Sequence, residues 1–215
     1  MDHATQIKQN PFYLTYVETQ TEELCKIAVE QDGLMIRFVK DQTEELCKLA
    51  VEQNPYALQY VRCQTDEICM TAVKLNGFVL RYVHNQTHDI CLTAVGNNGY
   101  ALSFVWIQNK EICEAAVRNN GMALRFVRIH EDDICEIAVN QNGMALQFVK
   151  IQTYTICRLA IQQSWYALRY VHHQTQVLCK LAIQYHKAAE QFVKIGLNDM
   201  EIKQKNLKRT NPYSC

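Results

Sequence analysis

Apolar and polar positions alternate along this chain with a period of 22 residues. Cysteines stand at Cys25, Cys47, Cys69, Cys91, Cys113, Cys135, Cys157 and Cys179, and three residues after each is an alanine, from Ala28 to Ala182. Fourteen residues after each cysteine is a valine, from Val39 to Val193, always preceded by Phe or Tyr, from Phe38 to Phe192. Columns held in register over eight copies mark a repeat array, here residues 19–194. Residues 1–18 read as a degenerate N-terminal capping repeat, because Pro11, Leu14, Tyr16 and Val17 keep the second half of the pattern. Residues 195–215 keep little of it and read as a C-terminal cap with a basic tail. Degenerate ends suit an array whose terminal units face water on one side.

One copy, residues 41–62, shows what each half encodes. Leu46, Cys47, Ala50 and Val51 lie on one helical face. Thr43 precedes that run as an N-cap, and Glu44 and Glu45 place carboxylates against the positive end of the helix dipole. The second half carries Ala57, Leu58, Tyr60 and Val61, again a helical face. Between the halves is a column reading Gly33, Pro55, Gly77, Gly99, Gly121, Gly143, Trp165, Lys187. Proline cannot adopt the positive φ of a glycine C-cap, but it fits the first position of a helix. The preceding column, mostly Asn, supplies the cap. Each repeat is therefore predicted as a helix of about 10 residues, a very tight turn and a helix of about 8, both too short to persist without stacked neighbours. The expected fold class is all-α, an α-solenoid of eight 22-residue helix-turn-helix repeats with degenerate terminal caps.

Composition narrows the setting. The 215 residues carry no net formal charge, and no apolar run is long enough to span a membrane. The polar start Met-Asp-His-Ala-Thr-Gln lacks a signal-peptide core, so a soluble, cytoplasmic protein is expected, with no membrane partner. The regular cysteines read as small buried hydrophobes. Stacked helices lie about 8–10 Å apart, too far for a disulfide between ladder neighbours. Cys63 and Cys215 lie off the column and are expected to be accessible.

The chain offers little to catalysis. The seven histidines lack zinc-type spacing, the three serines sit in no nucleophile elbow, and there is no phosphate-cradling glycine loop. No catalytic residue, metal site or cofactor is expected, and the protein is read as a non-enzyme. A glutamine column (Gln20, Gln42, Gln64, Gln86, Gln108, Gln152 and Gln174, with His130 interrupting) stands between repeats, where its amides are expected to satisfy loose backbone groups.

Charge is the more informative signal. Two columns three residues apart are expected to share one face of the second helix. One alternates Arg37, Arg81, Arg125 and Arg169 with Gln or Ser; the other reads Lys40, Arg62, His84, Trp106, Arg128, Lys150, His172, Lys194. Neither contains an acid. Cations at a helix C-terminus suit its dipole, and pairs such as Arg62 with Glu67 could absorb others. In the last two copies the first-turn acids give way to Tyr154, Thr155, Gln176 and Val177 while the cations stay. Residues 1–109 hold 13 acids and 8 Lys/Arg; residues 110–215 hold 9 and 14. Such asymmetry bears on partners rather than on fold. The expected partner-binding residues are Arg125, Arg128, Lys150, Arg169, Lys194 and Trp106, reinforced by Lys203, Lys205, Lys208 and Arg209 of the tail. The expected function is a protein–protein interaction scaffold with an acidic partner. A nucleic-acid-binding solenoid is the alternative, and weak head-to-tail self-association a third.

The pattern Asp/Glu-Ile-Cys-x-x-Ala-Val-x-x-Asn-Gly-x-Ala-Leu-x-Phe-Val over residues 19–194 resembles short two-helix repeats in uncharacterised proteins of amoeba-infecting giant viruses. The resemblance implies an α-solenoid and expression in a host-cell cytoplasm. It supplies no functional residues.

Overall fold

The computed structural model describes residues 2–195; Cys215 and the tail cations Lys203, Lys205, Lys208 and Arg209 lie outside them. The chain divides into two compact units, Met1–Ile129 and His130–Cys215. Unit 1 contains α1 (His3–Gln9), α2 (Glu22–Gln31), α3 (Glu44–Gln53), α4 (Asp66–Leu75), α5 (His88–Asn97) and α6 (Lys110–Asn119). Unit 2 contains α7 (Asp132–Gln141), α8 (Tyr154–Gln163) and α9 (Gln176–Tyr185). A six-residue 3₁₀ helix follows each of these nine, from Pro11–Tyr16 to Lys187–Phe192. The fold is an α-solenoid of tandem 22-residue helix pairs, and no strand occurs among the described residues. Within each unit, successive pairs stack on one another. No helix among the described residues is long and apolar enough to cross a membrane.

The α-helices begin where the sequence places their caps. Thr43 Oγ1 accepts the N–H of Leu46 at 3.3 Å, and Asn109 Oδ1 accepts that of Ile112 at 2.9 Å. Both bonds satisfy a donor that the first helical turn leaves open. Leu46, Cys47, Ala50 and Val51 are buried on one face of α3, and the corresponding residues are buried in the other inner helices. The alanine column is fully buried from Ala28 to Ala182.

A single extended residue joins the two helices of a repeat. Asn54 (φ −149, ψ 109) donates its N–H to Ala50 O, ending α3, while its side chain accepts from Tyr56 N–H at 3.0 Å, opening Pro55–Tyr60. Among the described residues none, glycine included, has positive φ, as expected for a helix start at the Gly/Pro column. The second helix differs from expectation in type and length: it is 3₁₀ rather than α, with six residues rather than about eight. Its i to i+3 bonds wind three residues per turn, so Gly33, Ile36 and Val39 fall in one buried line.

Glycine opens several of these 3₁₀ helices because of a close approach. A Cβ on Gly77 would lie 2.3 Å from the carbonyl oxygen of Ala94 in the next repeat, and one on Gly33 would lie 2.3 Å from that of Ala50. Gly99 and Gly143 face Ala116 and Ala160 in the same way. The fully buried alanine and the glycine before it are thus the two sides of one tight seam.

Candidate functional site

The glutamine column is a framework. Gln42 Nε2 donates to the carbonyls of Ile36 (2.9 Å) and Tyr60 (3.0 Å), which end the 3₁₀ helices of successive repeats. Its Oε1 accepts the N–H of Arg62 at 3.0 Å and lies 3.9 Å from Cys47 Sγ. Gln20, Gln64, Gln86, Gln108, Gln152 and Gln174 each reach the equivalent carbonyls. One primary amide thus serves four partners, close to its full hydrogen-bonding capacity. His130 occupies the corresponding place in unit 2 with its Nδ1 4.0 Å from Cys135 Sγ.

The register cysteines are free thiols, buried as expected, while Cys63 is exposed. All but Cys135, which faces His130, add a weak S–H donor to the glutamine five residues earlier, at 3.5 Å for Cys69 and Gln64, a pairing that sequence reasoning missed. Burial pushes the thiols of Cys47, Cys69 and Cys135 up to about 11. A thiol so disposed is a poor nucleophile at neutral pH.

The two cation columns do not share a helix face, contrary to expectation. Arg37, Arg81, Arg125 and Arg169 are on 3₁₀ helices, but Lys40, Arg62, Trp106, Arg128, Lys150 and Lys194 lie beyond the C-caps, in the connecting segments. Most cations of this second column are committed to backbone. Arg62 donates to Lys40 O (2.8 Å) and Val39 O (3.2 Å), and Arg128 to Trp106 O (2.7 Å) and Val105 O (3.3 Å). Lys40 Nζ reaches Glu18 O at 2.7 Å, and Lys194 Nζ reaches Arg169 O and Val171 O at 3.5 Å. They close the 3₁₀ helix of the preceding repeat, as cations at helix C-termini do. The expected partner for Arg62 is therefore wrong. Glu67 instead pairs with Lys48, whose hydrogen bond holds the Glu67 carboxyl below its usual range.

The first column lies over aromatic rings. The Arg37 guanidinium is 4.5 Å from the Phe38 ring centroid, Arg125 is 4.9 Å from Phe126, and Arg169 is 4.9 Å from Tyr166 and 5.2 Å from Tyr170. The smaller residues alternating with them fold back on their own helix, as Gln59 does on Tyr56 O. Of the candidate residues, then, Arg128 and Lys194 hold backbone, while Arg125 and Arg169 stack on rings. Lys150 has no hydrogen-bond or ionic partner among the described residues. Trp106 is 57% exposed, beside the exposed Ile107. Arg125, Arg128 and Trp106 belong to unit 1, and Lys150, Arg169 and Lys194 to unit 2.

The surface at the α-helix entrances differs between units. In unit 1, α2, α3 and α4 each open with two carboxylates, and α5 and α6 with one. Several bridge repeats: Thr43 Oγ1 donates to Glu22 at 3.4 Å, and His88 Nε2 is 3.2 Å from Glu111. In unit 2, α7 opens with Asp132 and Asp133, but α8 and α9 have no acid in the first turn. Ile151, Tyr154 and Val177 are exposed there. No group of three or more His, Cys, Asp or Glu suited to a metal ion occurs among the described residues.

A domain of unknown function (DUF4116) matches this chain in five overlapping stretches, residues 21–62, 43–87, 65–105, 87–131 and 109–152. Each stretch spans two repeats, and successive starts advance by one. No curated protein and no solved structure matches. With the matches together covering residues 21–152, more than half of its length, the chain belongs to the DUF4116 family of short tandem helical repeats.

Proposed function

We propose that this chain is a non-catalytic, protein-binding repeat scaffold whose second unit receives an acidic partner protein. One observation carries the reading: residues 137–189 contain no Asp or Glu, yet include Lys150, Arg158, Arg169, Lys180 and Lys187. All of these except the half-buried Arg158 are exposed. Charge of one sign over such a stretch steers oppositely charged partners and disfavours like-charged ones. The polar side chains of the repeat junctions are committed to backbone, so the reading rests on the charge of this stretch.

The test is capture from cell lysate on the immobilised protein, with and without nuclease. The wild type is compared with a Lys150→Glu/Arg169→Glu/Lys187→Glu variant whose helical content and melting are first verified. Protein capture that resists nuclease and is lost on charge reversal supports the reading. Capture abolished by nuclease assigns the surface to nucleic acid instead, whose binding weakens steeply with salt. A molar mass that rises at low salt in the purified protein names a second copy as the partner. Capture indifferent to the charge reversal refutes the role given to unit 2.

A further inference from the structure

Two ion pairs in unit 1 show which side chains meet across neighbouring α-helices. Glu67, the second residue of α4, reaches Lys48, the fifth residue of α3. Glu111, the second residue of α6, reaches His88, the first of α5. The second position of one helix therefore lies between the first and fifth positions of the helix before it. Carried into unit 2 by the same offsets, Val177 of α9 lies between Tyr154 and Arg158 of α8. An apolar side chain stands where unit 1 places a carboxylate. Arg158 has no acid there and donates to Gln162 Oε1 at 2.9 Å.

The neighbourhood is otherwise open. Ile151, three residues before Tyr154, is 78% exposed, Tyr154 is 52% and Val177 is 58%. Lys180, one turn after Val177 on the same side of α9, adds a second cation beside them. On the far side, α7 restores the acidic pattern with Asp132 and Asp133, which bounds the patch.

We infer that Ile151, Tyr154 and Val177, flanked by Arg158 and Lys180, dock a peptide segment of a partner protein in which acidic and apolar residues alternate. The inference rests on the proposed function and gives its partner a chemistry. The apolar side chains of the segment cover Ile151, Tyr154 and Val177, and its carboxylates take the place at Arg158 that Glu67 takes at Lys48. An apolar centre rimmed by charge is the usual anatomy of a protein interface. Nucleic acid fits less well, because two of the three central residues are aliphatic and give bases nothing to stack on.

The repeat itself supplies variants that the fold accepts. Val177→Glu restores the residue type of Glu67 and Glu111, Tyr154→Gln that of Gln176, and Ile151→Asn that of Asn85. The probes are two short fluorescein-labelled peptides, one alternating Glu with Leu and one alternating Glu with Ser, read by fluorescence anisotropy on the full chain. Wild type is expected to bind the Glu–Leu peptide about ten-fold more tightly than the Glu–Ser peptide, and each variant is expected to lose about ten-fold for the Glu–Leu peptide while melting as wild type does. Equal affinity for both peptides, lost on Arg158→Glu with Lys180→Glu, overturns the apolar patch and leaves the acidic-partner reading standing. Failure of both peptides, together with no charge-dependent capture from lysate, overturns both. Unchanged affinity of Val177→Glu overturns the site, as does binding of single-stranded RNA or phosphatidylserine vesicles with neither peptide bound.

Discussion

Two seams hold neighbouring repeats together, and they tolerate change differently. In the first, the N–H opening each 3₁₀ helix is accepted by a side chain twenty residues on. Gly33 donates to Gln53 (2.7 Å), Gly77 to Asn97 (2.8 Å), Gly99 to Asn119 (2.7 Å) and Gly143 to Gln163 (2.7 Å). Where proline removes the donor, at Pro55, the acceptor position holds Leu75; Trp165 is matched by Tyr185, and there too the bond is absent. In the second seam, the glutamine ladder, donor and acceptor are not dropped together. A bond with one donor and one acceptor can be lost in a single paired change. An amide serving four groups cannot, because its replacement orphans a carbonyl and an N–H at once, as Tyr60 O and Arg62 N–H would be at Gln42.

The largest effect is expected where the first seam is closest. Gly77→Ala puts a methyl group against Ala94 O and should cost about 2–3 kcal/mol. Ala94→Leu, on the other side of that contact, should cost about 1–3 kcal/mol or more. Gly96→Ala is the control, since nothing lies within 4 Å of its added Cβ, and it should stabilise by about 0.5–1 kcal/mol because glycine is a poor helix former. Chemical denaturation reads all three, and a Gly77→Ala protein as stable as wild type would dissolve the steric account.

The ladder comes next. Gln64→Leu is expected to lose about 1–3 kcal/mol, since the carbonyl of Tyr82 and the N–H of His84 lose their partner. Asn97→Leu, which gives up the acceptor for Gly77 and a donor to Lys74 O, should cost less. If the order of those two melts is reversed, the distinction between the seams fails. A cycle at the proline copy sharpens it. Leu75→Gln alone should gain nothing, because Pro55 has no N–H to offer, whereas Pro55→Gly with Leu75→Gln should couple favourably in a double-mutant analysis.

Alkaline titration tests the thiols that support the ladder. For Cys47, Cys69 and Cys135, burial raises the folded pKa from 9.0 to about 11. The unfolded chain therefore releases these protons first, and the stability they contribute is fully present below pH 9 and lost as pH rises toward 11. Urea melts between these limits should show the decline. At neutral pH, thiol labelling should modify Cys63 well before any register cysteine. The smallest effect is expected at the surface: Lys48→Ala should leave melting unchanged, because its pair with Glu67 is solvent-exposed.

Much of the fold was legible because caps and core are written in side chains. Thr43, Asn54 and the Leu46–Cys47–Ala50–Val51 stripe located both helices and their buried faces. The 3₁₀ winding was missed although a signal existed: Gly33, Ile36 and Val39 are spaced by three, a spacing that an α-helix would carry off its buried face. The cation columns misled for a different reason. The acceptors of Arg62 and Arg128 are backbone carbonyls one repeat back, and every residue carries a carbonyl, so no side-chain pattern announces them. Unit 2 shows the opposite case. Tyr154 and Val177 were visible as departures from the acidic columns, but only the offsets of the Lys48 and His88 pairs give a reason to set one beside the other.

The reach of the glutamine amide has a consequence for how such a chain can change length. Inside unit 1, all the partners of Gln42 lie between Ile36 and Arg62. A deletion of 22 residues within that unit brings an equivalent carbonyl, amide and thiol to each vacated place, so the cut heals with the same bonding on both sides. A deletion of 21 or 23 residues would present the amide with the wrong backbone atoms and set the alanine against something other than glycine. Chain length is thus quantised. Whole copies can be added or removed with the bonding of the ladder unchanged, and each added copy brings a fresh helix entrance on which a different surface can be written.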